Sequence, residues 1–200
     1  MADAEPGMPG NPVTLTDPAM MRAMAHPARI AIWSFLGLHG PATATECAEV
    51  AGLSPSACSY HLRTLARYGV IEEDPDSAAD GRQRPWRVRI MSVNIETNTG
   101  DPAVDLAGRI LGDAVRAETD RTRVQYLSQQ EEYPEDWQHA LGTNQDVAYV
   151  TAQELTELQA RLQEVMDDYR RLDPAARSAG AQPVWLTLDK YPLFKPEETQ

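Results

Sequence analysis

The sequence is short of the residues that most often announce a function. It has two cysteines in 200 residues, Cys47 and Cys58, too few for a disulfide framework. No apolar run approaches the roughly 20 residues that span a bilayer, and no signal peptide opens the chain. A soluble, cytoplasmic protein with no membrane partner is expected. The GxSxG, HExxH, P-loop and dinucleotide-binding patterns are all missing. The chain is therefore not expected to be an enzyme or to carry a cofactor. It also lacks internal repeats. Apolar residues make up an ordinary 42%, enough for a real core.

Basic residues are outnumbered, and the net charge is −12. The imbalance is uneven along the chain. Residues 1–21 hold three acids and no base before Arg22, and residues 22–90 hold eight arginines against seven acids. Residues 91–200 hold twenty acids against ten bases. Two stretches have no acid at all: 54–70, with Arg63 and Arg67, and 81–90, with Arg82, Arg84, Arg87 and Arg89. Phosphate contact depends on such local patches rather than on total charge. An acidic remainder keeps the chain soluble and opposes indiscriminate binding to DNA.

Residues 1–12, with three prolines and two glycines, read as a disordered leader. Asp17-Pro18 starts a helix by the cap-then-proline signal. His26-Pro27 interrupts it, because a residue before proline avoids helical angles. The run 28–38 is apolar nearly all round and predicts a central core helix, closed by Gly40-Pro41. Thr43 or Thr45 is expected to cap a short helix over 44–51; with Thr43 as N-cap, Glu46 sits three residues on, a capping-box pattern. Gly52-Leu53-Ser54 then turns the chain, with Leu53 as an apolar plug. Ser54 is a good N-cap, Pro55 suits the first helical position, and Gly69 suits the residue after the last turn. Helix, tight turn, helix is the helix-turn-helix pattern. The second helix sets Ala57, Leu62, Leu65, Ala66 and Tyr68 against Ser56, Ser59, Tyr60, Arg63, Thr64 and Arg67. That second face has hydrogen-bonding groups and two cations, and it suits the major groove of DNA.

Residues 70–74 and 86–90 read as two strands, with Trp86, Val88 and Ile90 alternating against Arg87 and Arg89. The segment 76–84 between them is a long tip, a wing, whose Arg82 and Arg84 are placed for a phosphate or minor groove. Asp101-Pro102 opens a helix to about residue 130. It is too long to be covered by so small a domain, so a partner subunit is its simplest cover. Gly108 and Gly112 would let another helix approach it closely or would weaken it. A short connector helix is expected within 133–142 and strands at 146–150 and 184–188. Thr151 and Glu154 form a second capping box. Leu155, Leu158, Leu162, Val165, Tyr169 and Leu172 then recur in steps of 3 and 4, the seam of a helix packed along another helix. The aromatics Trp137, Trp185 and Tyr191 read as core rather than as a pocket lining.

Three motifs in order carry a resemblance: Met24-Ala-His-Pro-Ala-Arg-Ile30, the stretch 51–71 with Gly-Leu-Ser-Pro at its turn, and Asp80-Gly-Arg82 in the wing. Over residues 17–91 the chain resembles the ArsR-like winged helix-turn-helix repressors. The resemblance implies a homodimer on a near-palindromic operator of double-stranded DNA, each recognition helix in a major groove. Thiolate-sensing members carry a Cys-x-Cys pair where this chain has Thr43 and Thr45, which cannot supply thiolates. Another family site needs histidine with carboxylates on the dimer helix, and residues 101–130 contain no histidine. No metal site is expected. Cys47, Cys58, His26 and His61 are read as structural.

The expected fold class is mainly α with a small β wing, an α+β arrangement. Its parts are the leader 1–12, a winged helix-turn-helix domain over 13–95, and a region over 96–200 for dimerisation and effector binding. That last region combines a long helix with a small C-terminal α/β extension. The expected function is a sequence-specific DNA-binding transcriptional regulator, a dimeric repressor. Its DNA-binding residues are Ser54, Ser56, Ser59, Tyr60, Arg63, Thr64, Arg67, Arg82 and Arg84. The extension is long for dimerisation alone, which suggests a small-molecule effector. The alternative is a winged-helix adaptor that holds a protein partner through its acidic C-terminal region.

Overall fold

A computed structural model describes residues 13–75, 84–169 and 176–194. It divides into two compact units, Met1–Arg170 and Arg171–Gln200. The first is mainly helical. It opens on β1 (Val13–Leu15), followed by α1 (Pro18–Met24), α2 (Pro27–His39), α3 (Ala44–Ala51) and α4 (Pro55–Arg67). Three short strands come next, β2 (Ile71–Glu73), β3 (Trp86–Val88) and β4 (Val93–Ile95), and then α5 (Pro102–Gln129). A 3-10 turn at Gln130–Glu132, α6 (Glu135–Ala140) and α7 (Ala152–Tyr169) complete it.

The helix starts follow the side chains that cap them. Asp17, His26, Thr43, Ser54 and Asp101 each accept a backbone N–H of the first turn, and proline fills an early position in four of those five helices. Such caps each contribute about 1 kcal/mol. Thr43 and Glu46 complete the capping box: the Thr43 N–H donates to Glu46 Oε2 at 2.7 Å and the Glu46 N–H donates to Thr43 Oγ1 at 3.3 Å. The Thr43 N–H, followed by the Thr43 hydroxyl, donates to the Glu46 carboxylate and holds it below its usual range. Gly52, at φ 63°, turns the chain between α3 and α4 in the left-handed region that glycine enters freely.

One core joins these elements. Met21, Ile32, Leu36, Cys47, Cys58, Leu62, Leu65, Val70 and Ile71 are almost fully buried, and Val104, Ala107 and Leu111 of α5 enter the same cluster. The first turns of α5 are therefore core and not only a connection. Gly108 lets them approach: a Cβ there would clash with the Glu96 carbonyl oxygen and lie 3.3 Å from Thr97 Cγ2. The close neighbour is the backbone after β4 rather than another helix. Gly112, by contrast, would meet only the tip of the Arg116 side chain. Across the core, the Trp33 indole N–H donates to the Ile90 carbonyl at 2.7 Å.

β2 and β3 pair antiparallel, Ile71 opposite Val88, as the wing's stem. β1 and β4 pair in parallel, Val13 opposite Val93, which the sequence pattern did not foretell. The expected strands at 146–150 and 184–188 are a correction. Both are irregular, and neither has a ladder partner among the described residues. Tyr149 is 98% exposed, and Val184, Leu186 and Leu188 are exposed too. A β-branched and aromatic bias becomes a strand only where a neighbouring strand or a packed face completes it. The C-terminal region thus has α6 and α7 without the expected strands. The leader 1–12 lies outside the described residues. No helix among those described is long and apolar enough to cross a membrane.

Candidate nucleic-acid interface

The geometry of α4 separates two stripes. Cys58, Leu62 and Leu65, in steps of 4 and 3, are buried against α2 and α3. On the opposite side Ser56, Tyr60, Arg63 and Arg67, in steps of 4, 3 and 4, are exposed. Residues at this spacing share one helix face. Tyr60 is 62% exposed, well above what a packed tyrosine shows. Neither Arg63 nor Arg67 is held in an ion pair among the described residues. Arg67 lies 5.1 Å over the Tyr68 ring, which orients a cation without neutralising it. Ser54 and Ser56 sit at the helix start, their hydroxyl oxygens 3.1 Å apart.

Two predicted residues are spent differently. Thr64 is 8% exposed, and its hydroxyl donates to the Tyr60 carbonyl at 2.9 Å. It belongs to the buried side and leaves the candidate surface. A rotation of about 100° per residue places position 64 next to the Leu65 stripe, which a polar residue type concealed. Ser59 is half-buried, with its hydroxyl donating to the Pro55 carbonyl at 2.8 Å.

The wing is less free than its arginines suggested. Arg87 pairs with Glu72 at 2.8 Å and with Asp74 at 3.3 Å, so its charge is used across the stem. Arg84 is exposed and pairs with Glu73 at 3.4 Å, a surface contact that water screens strongly. Arg82 and residues 76–83 lie outside the described residues.

Beneath the exposed stripe is a cluster that spacing alone could not assemble. The His26 and His61 rings lie 4.6 Å apart, and Tyr60 meets His61 edge-on at 5.6 Å. Burial, followed by Arg29, holds His26 below its ordinary value. Burial, followed by His26 and Arg29, does the same for His61. The buried Arg29 Nε and His61 Nδ1 make no hydrogen bond. Cys47 and Cys58 are free and fully buried. Burial, with smaller contributions from Cys58 and Glu46, pushes the Cys47 thiol up to about 12, so the reactive thiolate is scarce at neutral pH. The Thr43 hydroxyl donates to Glu46 Oε2 at 2.7 Å.

Comparison with known proteins places this geometry. Residues 24–74 match the model of a helix-turn-helix domain, which spans α2 to the wing's first strand. The chain is similar to the HTH-type transcriptional regulator YgaV of Escherichia coli (strain K12). The two are 36% identical over 76 residues, 38% of this chain and 73% of the relative.

Proposed function

Because the chain belongs to the helix-turn-helix transcriptional regulators, and so is a DNA-binding regulator, we propose that it is an ArsR-like dimeric repressor on a near-palindromic operator. The exposed stripe of Ser56, Tyr60, Arg63 and Arg67, with no carboxylate on that face, is the observation that carries this reading. Ser54 and Ser59 flank the stripe at the helix start, and Arg82 and Arg84 add phosphate contacts from the wing. The outer face of α5, with Leu106, Ile110, Val124 and Leu127 exposed, supports a second copy as its cover. Two recognition helices then meet successive major grooves about one helical turn apart. Residues 96–200 serve dimerisation and receive an effector.

The test is a gel shift against genomic fragments at about 0.15 M salt, where selective complexes are expected. Arg63→Ala weakens them. Arg82→Ala and Arg84→Ala weaken binding across all sequences, each lowering the salt slope by about 1. A triple variant that bound as tightly as the parent would overturn this docking. The absence of any selective complex would favour the adaptor reading instead.

A further inference from the structure

Among the described helices, an unbroken apolar seam left uncovered outside the interface is on α7. Leu155, Leu158, Leu162, Val165 and Tyr169 form a continuous seam in steps of 3 and 4, yet no residue of α7 is buried. Leu158 and Leu162 are each 37% exposed and Val165 is 58% exposed. In heptad terms Leu155, Leu162 and Tyr169 hold the a positions, and Leu158 and Val165 the d positions.

Two helical stripes could cover it. The outer stripe of α5 has the same spacing: Leu106, Ile110, Ala117, Val124 and Leu127. It is broken by Asp113 and Asp120, which pair with Arg116 and Arg123 on their own helix. Packing α7 there would press Leu155 and Leu162 onto carboxylates and strip their water. The other occupant is α7 of a second copy, whose seam has no such break. A two-fold axis places an element against itself without further design.

The flanks decide the direction. Glu154, Arg161 and Asp168 lie on one side of the seam and Gln159 and Met166 on the other. In an antiparallel pair the first set meets itself, Glu154 against Asp168 and Arg161 against Arg161, so every charged contact repels. In a parallel pair Glu154 meets Gln159 and Arg161 meets Met166, neither of which repels, and the position opposite Asp168 falls beyond the end of α7. We propose that α7 forms a parallel two-stranded coiled coil with α7 of a second copy, closing the dimer at its C-terminal side. This rests on the dimer reading above and adds to it the place and direction of a second contact.

Leu158→Cys in the full chain tests it, because d residues face each other in a parallel pair. The native Cys47 and Cys58 are fully buried, so the parent gives the background. Mild oxidation of the folded variant is expected to yield a disulfide-linked dimer through position 158. Leu162→Asp is expected to raise the dimer dissociation constant about a hundredfold, since it removes two seam leucines at once. Sedimentation of the parent separates the two readings. A monomeric parent would overturn the dimer itself. A dimeric parent would overturn only the coiled coil if Leu158→Cys did not cross-link. The same holds if cross-links formed instead between Leu155→Cys and Val165→Cys chains, or between Leu158→Cys and Ala117→Cys chains.

Discussion

Arg63 and Thr64 are neighbours in sequence, yet one faces solvent and the other is 8% exposed. The difference makes a paired prediction. Arg63→Ala should weaken operator binding by about 1–3 kcal/mol if the guanidinium reaches a base, with fluorescence anisotropy as the measurement. Thr64→Val should leave that affinity unchanged, because the hydroxyl it removes serves only the Tyr60 carbonyl. Equal losses in both variants would mean that α4 meets DNA through another face. The two histidines behind this stripe give a pH dependence. Both are held below 6.5 in the folded protein, so the unfolded chain binds more protons as pH falls. Their contribution is fully present above pH 6.5 and is lost as pH falls from there toward the folded values. The urea midpoint should therefore drop between pH 7.5 and about 5.5, still above the carboxylate range. His61→Gln should drop less over the same interval, and an identical slope would remove the histidine pair as its cause.

At the scale of elements, close approach and capping govern α5 and α3. Gly108→Ala drives a methyl into the Glu96 carbonyl and should cost about 1–3 kcal/mol in thermal unfolding, the range for overpacking. Gly112→Ala meets only a flexible guanidinium and should stabilise by about 0.5–1 kcal/mol, the helix preference of alanine over glycine. A pair of glycines four apart looks symmetric in sequence; only the path of the chain after β4 distinguishes them. The same limit marks what could be foreseen. Helix starts were legible because a cap, a proline and an apolar period lie within a few residues of each other. The exposed stripe of α4 was legible for the same reason, except at Thr64, where residue type misled about face. β1 was not, since its three residues become a strand only against Val93–Ile95, eighty positions away. Nor could composition tell that 146–150 and 184–188 have no ladder partner among the described residues. The histidine cluster needed α2 and α4 packed before it existed.

For the whole molecule, the question is how a chain of net charge −12 binds a polyanion at all. Residues 131–169 carry ten acids against one arginine, while the exposed stripe of α4 carries two arginines and no acid. Distance and screening decide between them. The Debye length is about 30 Å at 0.01 M salt and about 8 Å at 0.15 M. At low salt the acidic region repels DNA across much of the molecule. At physiological salt only charges beside the duplex are felt, and those are arginines. Neutralising the exposed Glu131, Glu132, Glu135 and Asp136 to their amides tests this without touching α4 or the wing. Affinity for random-sequence duplex should rise at 0.01–0.05 M salt, by several-fold if four charges are felt at one Debye length. The gain should shrink to nothing by about 0.15 M, where the variant and its parent become equal. Such a variant would fall more steeply with salt than the parent, although it makes the same phosphate contacts. A gain that persisted unchanged at 0.15 M would place these acids beside the DNA, within a Debye length of its phosphates. No gain at any salt would remove long-range repulsion from the account of how this regulator avoids random sequence.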